Sequence, residues 1–302
     1  HLSIRRQRQM CIRDSRTTNR RSQHERLVAF AIDHRHQFTS WAQAAGKTPA
    51  HIDQFKQLAV QAAEHEAGQD SGFGMLVDDR TGRSALHQIT STKAWVGRPI
   101  ESSGVFPLRL EAEGDIVQHL FDWPLNQTVK VLCPYRLDDD AATRQHHEEL
   151  MIRLDQACRF TGHQWLLEII TARDDNTPAF EQVAPIMQHF YKLGVKPDWW
   201  KLEPALDHAY WRQVGEVIDA HDSHCQGVIV LGLNGTIEGI SEAFNVASKQ
   251  PWVKGFAIGR TLFAEAAQGW LQGHLDDAQA IELMATNYRL IIAAWDNAQV
   301  QK

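Results

Sequence analysis

Cysteine is scarce in this chain of 302 residues: Cys11, Cys133, Cys158 and Cys225 are the only four, and no two form a CxxC pair. So few exclude a disulfide scaffold and fit a reducing cytoplasm. Long apolar runs are missing as well. No stretch reaches the roughly 18 consecutive apolar residues of a membrane span, and the N-terminus lacks an apolar signal core. Residues 1–26 hold eight arginines against Asp14 and Glu25, so a net charge of −6 overall leaves −12 on the rest. An acidic body of that kind excludes an extended nucleic-acid surface, which needs Lys and Arg clustered on one face. Glycine is absent from "AIDHRHQF", the stretch that follows the first apolar run. A doubly wound dinucleotide-binding sheet would place its phosphate loop there.

What is present is periodic. From Leu27 onward, short apolar runs alternate with longer amphipathic ones about eight times. The short runs are "LVAFAID" (27–33), "GFGMLVD" (72–78), "AWVG" (94–97), "TVKVLCP" (128–134), "QWLLEII" (164–170), "PDWWKLE" (197–203), "GVIVLGL" (227–233) and "VKGFAIG" (253–259). Runs of this length with helical patterns between them are the mark of βα units. Eight of them predict an α/β fold of one (β/α)8 TIM barrel over residues 26–298. Helices are expected over "PAHIDQFKQLAVQAAEHEA", "DDAATRQHHEELMIRLDQACRF", "PAFEQVAPIMQHFYKL" and the closing "DDAQAIELMATNYRLIIAAWDNA", with Pro49, Pro178 and Asp138 at or near helix starts. Leu150, Leu154 and Ala157 give the second of these an apolar face. The segment 98–126 fits no unit, and "GVFPLRLE" within it suggests a hairpin outside the barrel. Residues 1–25 show almost no apolar periodicity and read as a disordered basic leader. Its "QMCIRDS" resembles translated adaptor text, so part of the leader is expected to be non-native.

A barrel builds its active site at the C-terminal ends of its strands, so ionisable residues late in each run are the candidates. They are Asp33, Asp78, Lys130, Glu168, Lys201, Glu203 and Arg260. The chain has only ten lysines, yet Lys201 stands in the apolar "PDWWKLEP". Alternation along a strand puts it on one face with Trp199 and Glu203, Lys130 with Leu132, and Glu168 with Leu166 and Ile170. If those faces point inward, two lysines and a glutamate meet in one concave mouth. A lysine stripped of water beside a second ammonium is driven toward its neutral form, and a neutral amine attacks a ketone to give an iminium, an electron sink for carbon–carbon cleavage. The alternatives are a lysine that snorkels outward along a helix, or an internal salt bridge with Glu203 or Glu168.

"VLGLNG" and "FAIGRT" end the last two runs, where many barrels bind phosphate through loop amides and a helix N-terminus. Gly232, Gly235 and Gly259 allow close backbone approach and Arg260 supplies charge. For metals, "DHRHQ" and the pair His146 and His147 lack an HExxH or equivalent partner set. Solvated histidines are the expectation, with no metal and no cofactor.

At "AIDHRHQF", "LVDDRTG", "KAWVGRPIE", "VKVLCPY", "LLEII", "WWKLEP" and "GFAIGRTLF" the chain resembles the class I, Schiff-base barrel aldolases related to tagatose-bisphosphate aldolase. Among them it is most similar to the 2-deoxy-5-keto-gluconate-6-phosphate aldolase domain of inositol catabolism, often fused behind a sugar kinase. The resemblance covers about residues 26–297. It implies that Lys201 forms the Schiff base, that Lys130 is the second active-site lysine, that Glu168 is the acid–base carboxylate and that Asp33 contacts substrate hydroxyls. Gly232, Gly259 and Arg260 match the phosphate region, although "VLGLNG" stands where the tagatose enzymes have a serine-containing turn. The implied substrate is a phosphorylated keto-sugar acid, whose carboxylate needs a cationic partner such as Arg35 or Arg98. A sugar-bisphosphate aldolase and a barrel that only binds a phosphosugar are the competing readings. Partner expectations are a homo-oligomer and a functional link to a sugar kinase, with neither nucleic acid nor membrane.

Overall fold

A computed structural model describes residues 24–67, 72–112, 114–172, 178–232 and 235–300. The expected leader lies almost entirely outside the described residues. Eight parallel strands close into a barrel in sequence order: β1 Leu27–Ala31, β2 Phe73–Leu76, β3 Trp95–Pro99, β4 Gln127–Pro134, β5 Trp165–Ile170, β6 Trp199–Leu202, β7 Gly227–Leu231 and β8 Val253–Ile258. Each coincides with one of the eight apolar runs, because parallel strands covered on both faces are apolar almost throughout.

Ten helices among the described residues surround the strands: α1 His36–Ala44, α2 Pro49–Ala67, α3 Asp79–Thr90, α4 Ile116–Phe121, α5 Ala141–Thr161, α6 Phe180–Lys192, α7 His208–His221, α8 Ile237–Ala247, α9 Arg260–Leu271 and α10 Asp277–Val300. Aspartates start four of them by accepting backbone N–H bonds: Asp78 before α3, Asp115 before α4, Asp140 before α5 and Asp207 before α7. The cap of α5 is thus Asp140 rather than Asp138, whose carboxylate pairs with Arg136 instead. The buried face of α5 is Thr143, His147, Met151, Leu154, Asp155, Ala157 and Cys158, with Leu150 at its edge.

The apolar residues form two shells. A large one lies between strands and helices, and a small one of Leu27, Ala29, Ala31, Leu76, Trp95, Leu166, Trp199, Ile229 and Ala257 fills the barrel interior. Trp95 and Trp199 meet edge to face in that interior, 6.3 Å between centroids. Two indoles fit only because their neighbours are small: a Cβ at Gly97 would stand 2.2 Å from Leu76 Cδ2 and 2.9 Å from the Trp95 ring. This plug closes the lower barrel, so any polar chemistry is confined to the layer above it.

The segment after β3 contains an isolated antiparallel bridge, Glu101 to Leu110, and then the short α4. It is the excursion outside the barrel that "GVFPLRLE" suggested. His146 and His147 pin it: His147 Nε2 accepts from Leu108 N–H at 2.9 Å, and His146 Nε2 lies 2.7 Å from the Leu108 carbonyl. The expectation of solvated histidines fails for His147, which is fully buried because it sits on the inner face of α5.

Candidate active site

Lys201 shares the inward face of β6 with Trp199, as alternation requires. Its Nζ lies 2.9 Å from Glu168 Oε1, and the same carboxylate offers Oε2 to Lys130 Nζ at 3.0 Å. Lys201 is therefore neither outward nor isolated; it is inward and ion-paired. The ladder pairs Glu168 with Lys201 directly, whereas Lys130 pairs with Leu166, two residues earlier. Barrel strands tilt, so ladder partners differ in height along the axis, and Lys130 still reaches the same carboxylate.

Lys130 is the hub of the centre. Besides its ion pair with Glu168 it donates hydrogen bonds to Asp33 Oδ2 at 2.9 Å and Glu101 Oε1 at 3.0 Å. All five side chains of this cluster, Asp33, Glu101, Lys130, Glu168 and Lys201, are at least nine-tenths buried. Burial alone would strip Lys130 of its proton, but Asp33, Glu101 and Glu168 outweigh it and hold the ammonium well above the usual lysine range. For Asp33, burial pushes the carboxyl up and Lys130 leads the charges that pull it well below the ordinary aspartate value. Burial likewise works against ionised Glu168, and the two lysines win, so it stays a carboxylate. Glu101 goes the other way: burial raises it despite Lys130 and Arg35. Its Oε2 is buried with no hydrogen-bond partner.

The remaining sequence candidates are placed as follows. Arg35, just ahead of α1, does not face an open mouth; it grips Glu101 through the backbone carbonyl at 2.5 Å and Oε1 at 3.0 Å, and reaches Glu111 at 2.8 Å. Arg98 points out of the barrel, over the Trp123 ring at 3.9 Å and toward Asp79 at 3.2 Å. Asp78 is drawn aside by Lys56, with which it forms a fully buried pair, while capping α3 through Thr81. Glu203 shares the face of Lys201 by parity, yet its carboxylate is consumed by the Thr171 hydroxyl and the amides of Thr171 and Ala172. It buttresses the exit of β5.

Arg260 opens α9 directly after β8, half-buried, and forms no hydrogen bond or ion pair with any described residue. Burial lowers its pKa, with Glu168 opposing across the mouth. Gly259 is required for another reason than phosphate: a Cβ there would stand 2.4 Å from the Ala31 carbonyl and 2.6 Å from His34 Cε1. Gly232 ends β7 beside Ile258, and Asn234 of the same turn lies outside the described residues.

Glu101, Lys56 and the electrostatic role of His34 were missed in the sequence. The signal for Glu101 was available, since Trp95, Gly97, Pro99 and Glu101 continue one alternation beyond the end of β3. His34 stands 3.9 Å from Asp33 and packs edge-on against Phe263. Burial, opposed by Asp33 and aided by Arg260, brings its pKa down to about 4, so the ring is neutral at pH 7. No group of three or more His, Cys, Asp and Glu suited to a metal occurs among the described residues.

Fold and centre together define a TIM barrel with two inward lysines bridged by one glutamate at its C-terminal mouth, a scaffold on which enzymes commonly build their sites. Residues 5–299 match the family described as "uncharacterized protein conserved in bacteria (DUF2090)", and the chain belongs to that family. No curated protein matches it. No described helix is long and apolar enough to cross a membrane.

Proposed function

We propose that this barrel is a Schiff-base, class I aldolase, a carbon–carbon lyase acting on a phosphorylated keto-sugar acid. The observation that carries the reading is the Lys201–Glu168–Lys130 bridge: a buried amine 2.9 Å from a carboxylate that a second, permanently charged lysine keeps ionised. An amine must shed its proton before it can attack a carbonyl, and Glu168 is the group touching it. Lys130 cannot be the nucleophile, because three carboxylates hold its proton.

The resemblance in sequence supports 2-deoxy-5-keto-gluconate 6-phosphate as the proposed substrate. Its C5 ketone condenses with Lys201, expelling water and forming the iminium. Glu168 or Asp33 takes the C3 hydroxyl proton, the C3–C4 electron pair moves into the iminium, and malonate semialdehyde leaves. The enamine is reprotonated at C4, and water hydrolyses the iminium to give dihydroxyacetone phosphate and free Lys201. Arg260, without a hydrogen bond or ion pair to any described residue, is the group available for the phosphate. Since Arg35 and Arg98 are engaged elsewhere, the substrate carboxylate has no dedicated arginine of the two expected.

Incubation with dihydroxyacetone phosphate and borohydride tests the reading by peptide mass. The expected adduct is on Lys201, and Lys201→Met should abolish both adduct and turnover. An adduct on Lys130, or turnover that survives borohydride and is lost to EDTA, would overturn it.

A further inference from the structure

The aldolase reading leaves Arg35, Glu101 and Glu111 without a task, yet they form one connected chain into the centre. Glu111 binds Arg35 at 2.8 Å, Arg35 binds Glu101 at two points, and Glu101 binds Lys130 at 3.0 Å. Arg35 is fixed to the end of β1, whereas Glu101 and Glu111 flank the 101–110 bridge after β3. The clamp thus closes the base of that excursion onto the barrel mouth. Within the centre, Lys130 makes well-directed hydrogen bonds to Asp33 and Glu101, while Glu168 Oε2 lies at 3.0 Å without one. The ammonium is aimed at Asp33 and Glu101, and it acts on Glu168 chiefly through its charge.

We infer that Glu101, held by Arg35, is a positioning residue of the lysine centre: it draws the Lys130 ammonium to one side, so that Glu168 Oε2, on the carboxylate whose Oε1 meets Lys201, remains an open proton acceptor. The inference rests on the aldolase reading. Arg35 ties Glu101 down at its backbone carbonyl and at Oε1, the oxygen that also meets Lys130, and a misplacement of about 1 Å in a catalytic layer can cost on the order of 100-fold. Without Glu101, the third donor direction of Lys130 swings onto Glu168 and blocks the oxygen that must receive protons. The loss should fall on the chemical step and not on phosphate binding, since Arg260 makes no hydrogen bond or ion pair with Arg35, Glu101 or Lys130.

The test uses the full chain and steady-state cleavage of the phosphorylated keto-sugar acid. Glu101→Gln should lower kcat by about 10- to 100-fold with KM within about threefold, and Glu101→Asp, which keeps the charge, should recover part of it. Arg35→Lys should reproduce the Glu101→Gln pattern more weakly, and it serves as the decisive variant if Glu101→Gln does not fold. A kcat within twofold of wild type in the folded variant overturns the positioning role. So does a Glu101→Asp protein as slow as Glu101→Gln, which would make Glu101 merely structural. Borohydride trapping on wild-type Lys201 separates the two levels: if it fails, the aldolase reading itself falls, and if it succeeds while kcat is indifferent to Glu101, the positioning role falls alone.

Discussion

Exchange of Glu168 for glutamine removes the only carboxylate within ion-pair reach of Lys201 among the described residues. Lys130, by contrast, keeps Asp33 at 2.9 Å and Glu101 at 3.0 Å. Removing one partner of a buried pair costs about 3–5 kcal/mol, because the other charge is stranded. The amide still accepts a hydrogen bond, so Glu168→Gln should lie at the low end, about 3 kcal/mol. Lys201→Met is milder, about 1–2 kcal/mol, since Glu168 retains Lys130 at 3.0 Å. In the double variant no charge is left stranded, so it too should lose only about 1–2 kcal/mol, giving a coupling of about 3 kcal/mol. Urea unfolding at pH 7 measures this, with the m-value checked for constancy. Trp199 and Trp95, packed directly below the centre, supply the fluorescence signal. Single effects that simply add, within about 0.5 kcal/mol, would refute the shared-carboxylate arrangement. The double variant should be as stable as Lys201→Met and equally inactive, which separates the structural from the chemical role of Glu168.

Two other outcomes are expected. His34 titrates at about 4 in the folded state and near 6.5 when unfolded, so the unfolded chain binds the extra proton between those values. Stability is therefore full above pH 6.5 and declines as pH falls toward 4; because the ring retains some solvent contact, the loss by pH 5 should be about 1 kcal/mol. His34→Asn should flatten that part of the stability profile, and an unchanged slope in urea titrations would sink the argument. Arg260→Ala should raise KM for the phosphorylated substrate by about 10- to 100-fold, the equivalent of one charge-assisted contact. Cleavage of the dephosphorylated analogue should not respond, and an equal loss on both substrates would place Arg260 elsewhere in the reaction.

How far the sequence reveals this centre depends on which physical constraint each residue obeys. The eight strands were legible because burial on both faces leaves an apolar run between polar helices. Lys130, Glu168 and Lys201 were legible for the same reason, as charges that interrupt such runs on an inward parity. Just past the strand ends parity gives the facing of a side chain but not its partner. Asp78 and Glu203 lie there, and each turned to a local donor, Lys56 in one case and the Thr171 loop in the other. Arg98, expected like Arg35 as a partner for the substrate carboxylate, follows inward Gly97 on β3 and so points out of the barrel. Lys56 was invisible because it comes from α2, and a lysine within an amphipathic helix pattern looks solvated until its partner across space is known. Glu101 continues the inward alternation of β3 into the irregular 98–126 segment, but its closure by Arg35 is a long-range contact with no local signature.

The centre is also evidence about why these residues are present at all. Buried ion pairs add little to stability, since the cost of removing charges from water roughly offsets their attraction, and apolar side chains of similar volume often serve the fold as well or better. The layer below demonstrates this, being filled by Trp95, Leu166, Trp199 and Ile229 with no charge. One step nearer the mouth the same inward positions carry Lys130, Glu168 and Lys201, with Asp33 and Glu101 completing the set. The change from apolar to ionic filling occurs at the level where loops open the barrel to ligands, and the signs alternate so that each lysine touches a carboxylate. A structural role would be met by one pair. Two lysines share one glutamate, and only Lys130 is held by further carboxylates; among the described residues Lys201 has Glu168 alone as ion-pair partner.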